Sequence, residues 1–215
     1  PKYLVCVPSD DIAGYNSAGF RYIPDPGDGT GIQTALAAAA ANPGDVWIRP
    51  GTYNFNLSAG AITGPLTIPS GVRVMGAGST TTLVRALDSG NQGVFIVSKN
   101  ASLRDLGVFN GVSALGGASA SLVSVTGNDS SVQNVSVAMA AANPGSTLQE
   151  GIRVNNCSRV RVSGCYVSNA PVGVSIAPQN VSSDVSVSDC TVEGAVFAVK
   201  VTNQGASRIR IEDCK

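Results

Sequence analysis

Cys165, Cys190 and Cys214 return in register, each closing the same short phrase, at steps of 25 and 24 residues. The phrases read Val160-x-Val162-x-Gly164-Cys165-x-Val167, Val185-x-Val187-x-Asp189-Cys190-x-Val192 and Ile209-x-Ile211-x-Asp213-Cys214. Self-similarity at a fixed period marks a chain of stacked repeats and removes most other folds from consideration. Upstream the phrase continues without cysteine, as Val132-x-Asn134-Val135-x-Val137 and Leu103-x-Asp105-Leu106-x-Val108, at steps of 29 and 30 residues. Val72-x-Val74-x-Gly76 fits its first half another 29 residues back, so at least six coils are predicted.

Each coil shares one internal grammar. Alternating apolar residues, as in Val160 and Val162, predict strands with one face inward. A break follows on Asp105, Asn134, Gly164, Asp189 or Asp213, residue types that tolerate left-handed backbone angles, so a sharp bend is expected there. A further strand completes the coil, as in Gly151-Ile152-x-Val154 and Gly173-Val174-x-Ile176, and loops of variable length containing Asn100, Asn128, Asn180 or Asn203 join one coil to the next. Three short strands, one tight bend and one elastic loop per coil describe an all-β, single-stranded parallel β-helix.

Stacking also creates columns. Asp129, Arg159, Asp184 and Arg208 precede the first strand of successive phrases and alternate in charge, which neighbouring strands favour, so they are read as a structural ion-pair column. At the start of the repeat, Thr30 to Ala41 carries Ile32, Leu36 and Ala39/Ala40 at helical spacing, with Thr30 as N-cap and Asn42-Pro43-Gly44 as a stop. A helix over about 30–41 is expected to cap the open end of the solenoid, which otherwise exposes apolar side chains and unpaired strand edge. Residues 1–27 read as an N-terminal arm or adaptor apart from the repeat, and residues 28–215 as the capped β-helix. The sequence stops in mid-phrase at Cys214-Lys215, so further polypeptide or another subunit is expected to cover that end.

Asp28-Gly29-Thr30 before an amphipathic helix, then Asp45-Val46-Trp47-Ile48-Arg49-Pro50-Gly51-Thr52-Tyr53, then Ile68-Pro69-Ser70-Gly71-Val72-Arg73-Val74-Met75-Gly76-Ala77-Gly78, resemble the opening of pectate-lyase-like right-handed β-helix proteins. The resemblance covers about residues 25–215 and implies a right-handed coil. The same opening occurs in polysaccharide lyases, glycoside hydrolases, and the tailspikes and depolymerases of bacteriophages, so the fold does not decide among them.

The absence of histidine narrows the chemistry most: it excludes a Ser-His-Asp triad, a Cys-His dyad and any histidine base. Carboxylates, Lys/Arg, Tyr or a divalent metal remain. Asp189, Glu212 and Asp213 form the best carboxylate cluster, since Asp189 and Asp213 fall on successive bends about 5 Å apart, a separation a retaining glycosidase uses. The same column holds Asp105, Asn134 and Gly164, as a bend selected for backbone angles alone would. A lyase would need Ca²⁺ held by acidic ligands beside an Arg or Lys base, with Arg161 and Arg210 nearby and Ser186 between them. Otherwise no cofactor and no metal site is expected. The five cysteines show no CxxC pair, and Cys165, Cys190 and Cys214 replace Leu106 and Val135 of earlier coils, which reads as an inward stack.

Tyr166 lies at an outward position between Cys165 and Val167 and is the candidate ligand platform, with Arg161 and Arg210 as further ligand-binding candidates. Trp47, Tyr53 and Phe55 read as packing in the cap. With 14 basic and 14 acidic residues, nothing draws the chain to nucleic acid or an anionic membrane, and no stretch is long and apolar enough to insert in one. Three readings stand. The resemblance implies a structural and adhesive β-helix of a tailspike-like virion or surface spike, homotrimeric and located on a virion, outside the cell or at its surface, with polysaccharide as ligand. The alternatives are a polysaccharide lyase or glycoside hydrolase of this fold, and a structural solenoid without a glycan ligand.

Overall fold

The computed structural model describes residues 2–6, 19–56, 62, 64–87, 93–111, 121–140, 149–176, 182–202 and 207–215. Among these the chain forms a right-handed parallel β-helix. After β1 (Lys2–Cys6), β2 (Phe20–Pro24) and helix α1 (Thr30–Ala41), the first coil is β3 (Asp45–Ile48), β4 (Gly51–Phe55) and β5 (Leu66–Ile68). The coils that follow are β6 (Arg73–Met75), β7 (Thr82–Ala86), β8 (Phe95–Val97); β9 (Ser102–Arg104), β10 (Gly107–Asn110), β11 (Ser121–Val125); and β12 (Ser131–Gln133), β13 (Ser136–Met139), β14 (Glu150–Val154). Then come β15 (Ser158–Ser163), β16 (Tyr166–Ser168), β17 (Val172–Ile176); β18 (Ser183–Ser188), β19 (Thr191–Glu193), β20 (Phe197–Val201); and finally β21 (Ser207–Glu212).

Corresponding strands stack into three parallel sheets. The first runs β2-β1-β3-β6-β9-β12-β15-β18-β21, the second β4 to β19 and the third β5 to β20, the latter two with six strands each. Registers are those of the repeated phrase: Val132 pairs with Leu103 and Val162, and Val187 with Val162 and Ile211. Val74, Leu103, Val132, Val162 and Val187 therefore form one continuous buried column, each fully or almost fully removed from water. Each such side chain contributes roughly 1.5–3 kcal/mol of transfer free energy, which explains why one register is held along the whole shaft.

The bend between first and second sheets is the one the residue types predict. Asp105, Asn134, Gly164, Asp189 and Asp213 all have φ between 50° and 61°. A left-handed residue costs most side chains about 1–2 kcal/mol and Gly, Asn and Asp less, so this column is selected by backbone geometry. A second left-handed column runs through Asp129, Arg159, Asp184 and Arg208, with φ from 54° to 61°. Its side chains form the expected ion pairs, Arg159 on Asp129 and Arg208 on Asp184, each through Nε and Nη2 to both carboxylate oxygens. Arg73 makes the same two-point contact with Asp45 on the first sheet, a pair the phrase did not announce.

Helix α1 buries Gly31, Ile32, Ala35, Leu36 and Ala39 against β1, β2, β3 and β5. Ala40 faces outward, whereas Ala35 completes the buried stripe. Thr30 is not the N-cap: Gly29, at φ 80°, precedes the helix and offers no side chain. The buried carboxylate of Asp25 does that work from outside, with Oδ1 accepting from the N–H of Gly27, Asp28 and Gly29 and Oδ2 from Ile32. Negative charge at a helix N-terminus and satisfaction of otherwise orphaned N–H groups both favour this placement. Within the segment read as an arm, β1 pairs in parallel with β3 and with β2, so both strands lengthen the first sheet of the solenoid. Trp47 is not core; it is 38% exposed and meets the Phe20 ring edge-on at 6.2 Å. Tyr53 and Phe55 are buried as expected.

Candidate functional site

The outward faces of the last coils carry the residues with ligand chemistry. At the corner between first and second sheets, Asp189 and Asp213 line a concavity of about 410 Å³ with Thr191, Cys214 and Lys215. The Asp189 N–H donates to the Glu212 carbonyl oxygen at 3.1 Å, which fixes one bend above the next. The structure thus brings Asp189 and Asp213 together. Glu212 does not join them: its side chain lies on the outer face of the first sheet, where Arg210 Nη2 meets its Oε1 at 2.7 Å. Arg161 stands on the same face, opposite Ser131 and Ser186, and Ser186 separates it from Arg210, so no continuous basic strip forms.

Tyr166 points outward from β16 on the second sheet and is 38% exposed. It sits in register with Ser136 on one side and Thr191 on the other. Its hydroxyl donates to Glu193 Oε2 at 2.6 Å, the diagonal neighbour on β19. The Glu193 carboxylate stabilises the protonated phenol and pushes Tyr166 above its ordinary range. The ring is thereby held in one orientation beside the hydroxyls of Ser136, Ser168 and Thr191 and next to the Asp189 corner. An apolar ring face ringed by hydroxyl and carboxylate acceptors matches what a sugar presents: C–H groups on one face and hydroxyls at the rim.

Sequence reasoning missed a second polar cluster, on the third sheet. Glu150 and Arg153, three residues apart on β14, are almost entirely buried and meet at 3.5 Å through Glu150 Oε2 and Arg153 Nε. Burial raises the Glu150 pKa, while the Ser175 hydroxyl and the charges of Arg153 and Lys200 pull the other way. Arg153, Ser175 and Lys200 stack in register on successive strands. The available signal was columnar: Glu150 falls in register with Ser121, Val172 and Phe197, and is the acidic member of an otherwise uncharged row.

Ca²⁺ takes six to eight oxygens, and Asp189 with Asp213 supplies two carboxylates. Among the described residues no group of three or more His, Cys, Asp or Glu has the geometry of a metal site. No helix among them is long and apolar enough to cross a membrane. The loops around Asn180 and Asn203 lie outside the described residues.

A family model described as "Rhamnogalacturonase A/epimerase, pectate lyase-like" matches residues 27–215. No curated protein matches the sequence. Among solved structures, the catalytic domain of a GH87 α-1,3-glucanase in complex with nigerose aligns with TM-score 0.61 and 17% identity, covering 98% of this chain and 35% of that one. A putative glycosyl hydrolase from Parabacteroides merdae aligns with TM-score 0.54 and 11% identity, covering 100% of this chain and 95% of that one. ORF18 of Geobacillus virus E2 aligns with TM-score 0.50 and 14% identity, covering 87% of this chain and 46% of that one. The chain thus spans less than half of the glucanase domain and of the phage protein, and at these identities the likeness is one of fold.

Proposed function

The chain belongs to the rhamnogalacturonase A/epimerase, pectate lyase-like family, and we propose that it is the rigid, adhesive β-helix of a tailspike-like spike, on a virion or a cell surface, that binds a surface polysaccharide. The observation that carries this reading is the Tyr166 ring, exposed on the second sheet, clamped by Glu193 and bordered by Ser136, Ser168 and Thr191. A stiff parallel shaft holds such a platform without ordering cost on binding, which is how preorganised sites gain affinity. Likeness to a phage protein agrees with a virion setting. Assembly as a homotrimer is part of the same proposal, because side-by-side solenoids would multiply weak glycan contacts. Binding of the chain to a panel of bacterial surface polysaccharides, compared with Tyr166→Ala, tests it: affinity for at least one polymer should fall about tenfold or more in the variant, the cost of losing one stacked ring.

A second reading, a glycoside hydrolase or lyase, draws on a different observation. Glu150 is a buried carboxyl whose pKa burial raises, the direction in which a general acid is tuned. Reducing-end release from the same panel, lost in Glu150→Gln and retained in an Asp189→Asn/Asp213→Asn double variant, would favour hydrolysis at the third sheet. Loss only in the double variant would place the chemistry at the bend corner.

A further inference from the structure

The second sheet holds a cavity that the Tyr166 platform leaves unused. It measures about 320 Å³ and lies on β7, β10 and β13, the last of which is next to β16. Leu83, Phe109 and Ala138 give it a carbon lining, and Ser79, Ser136 and Arg85 give it a polar edge. Gly107 keeps it open: it stands in register between Leu83 and Ser136, and a Cβ there would fall 2.5 Å from the Ser79 carbonyl oxygen and 2.6 Å from Leu83 Cδ2. No side chain fits at that point, so the depression is built into the packing of the coils.

Arg85 is the cation at its edge. Arg73, Arg104, Arg153, Arg159, Arg208 and Arg210 each meet a carboxylate. Arg85 meets none among the described residues; its guanidinium lies 4.8 Å from the centre of the Phe109 ring, its in-register neighbour on β10. That contact holds the cation beside the cavity and leaves its N–H donors to an acceptor within it. The cavity is also continuous with the Tyr166 platform. Ser136 borders both, and Phe109 and Tyr166 stand on strands two spacings apart, about 9.6 Å along the shaft.

We propose that this cavity is a subsite for an acetyl group, carried on a sugar beside the one that stacks on Tyr166, an inference that rests on the second sheet being the polysaccharide-binding face. An acetyl group offers a methyl to Leu83, Phe109 and Ala138, and a carbonyl oxygen that accepts from Arg85 or from the Ser79 and Ser136 hydroxyls. A carboxylate suits the same donors less well. Lowered into a carbon-lined cavity it would give up its hydration for a single cation, whereas a neutral carbonyl loses less and its methyl gains from burial. The Tyr166 ring thus selects a sugar, and the Arg85 cavity selects how that polymer is substituted.

The test uses the O-acetylated members of a panel of bacterial surface polysaccharides, each measured as isolated, after mild alkaline removal of its acetyl esters, and after reduction of its carboxyl groups. The unaltered chain should lose affinity about tenfold or more on de-acetylation, the combined loss of a buried methyl and a hydrogen bond from a charged donor, and little on carboxyl reduction. Arg85→Ala, and Ala138→Leu, which fills the cavity and leaves Arg85 in place, should each respond to de-acetylation by less than about threefold. Affinity unchanged by alkali, or lost on carboxyl reduction instead, would overturn this inference and leave the polysaccharide reading standing; no binding to any polymer would overturn both. Acetyl dependence kept in full by both variants would put the acetyl contact elsewhere and overturn it as well. If either variant fails to fold, the comparison of acetylated and de-acetylated polymer on the unaltered chain decides.

Discussion

The Tyr166 hydroxyl donates to Glu193 Oε2 across 2.6 Å, tying the outer faces of two successive coils in the second sheet. Because the carboxylate favours the protonated phenol, Tyr166 ionises above its ordinary value of 10.0. Replacing Glu193 with Gln removes the charge and keeps an acceptor, so the phenol should titrate at lower pH than in the unaltered chain. Ultraviolet titration of tyrosinate, with Tyr166→Phe to identify the transition, reads this directly. An unchanged transition in Glu193→Gln would mean that the clamp is absent in solution.

The Asp129–Arg159 and Asp184–Arg208 pairs predict a specific acid response. Hydrogen bonding and charge from each arginine lower both aspartates below the ordinary 3.8. A depressed folded pKa gives stability that is present above the unfolded value and disappears as pH falls through the folded one. Arg159→Ala and Arg208→Ala should therefore each cost a small amount of stability at pH 7, a cost that shrinks in high salt and disappears as pH falls below about 4, so the acid loss of stability is flatter in the variants. Thermal melts across acid pH, at low and high ionic strength, test the sign.

The bend column separates backbone need from chemistry. Asp189 has φ 55°, as Asn134 with φ 52° and Gly164 with φ 61° have in the same column. Asp189→Asn and Asp189→Gly should leave stability nearly unchanged, whereas Asp189→Val should cost about 1–2 kcal/mol through left-handed strain. Denaturant unfolding would show it. Equal destabilisation by all three would mean that the carboxylate itself holds the bend.

Glu150 should respond to pH in the opposite sense to the aspartates. Its folded pKa lies above the ordinary 4.5 because burial penalises the charged form. A raised carboxyl pKa favours the folded state at low pH and loses that contribution as pH rises from the unfolded value through the folded one. Glu150→Gln should therefore be the more stable protein at pH 7 and lose this advantage near pH 4. Parallel melts of both proteins at the two pH values check it.

The shaft was legible because stacking repeats the same physical demand at each coil. Val132, Val162 and Val187 must face inward, and Asp105, Asn134 and Asp189 must turn left-handed, so a single chain carries several copies of the same signal. What occurs once was not legible. β1 and β2 precede the repeat and carry no phrase, yet they join its first sheet. Asp25 caps α1 from five residues before it through a folded turn, which a search for a capping residue next to the helix passes over. Glu150 and Arg153 belong to no repeated phrase, and only the third sheet brings the two largely buried side chains together. Of the sequence candidates, Asp189 with Asp213 and Tyr166 took their expected positions, while Glu212 turned to Arg210 on another face.

The proposed polysaccharide site on the second sheet stands or falls with the Tyr166 ring. The most direct measurement is equilibrium binding to a panel of bacterial surface polysaccharides for the unaltered chain, Tyr166→Ala and Tyr166→Phe, with melts confirming that all three fold. At least one polymer should bind, with affinity reduced about tenfold or more in Tyr166→Ala and largely kept in Tyr166→Phe, which retains the ring. Binding that is equal in all three proteins, or absent throughout with every protein folded, would contradict it.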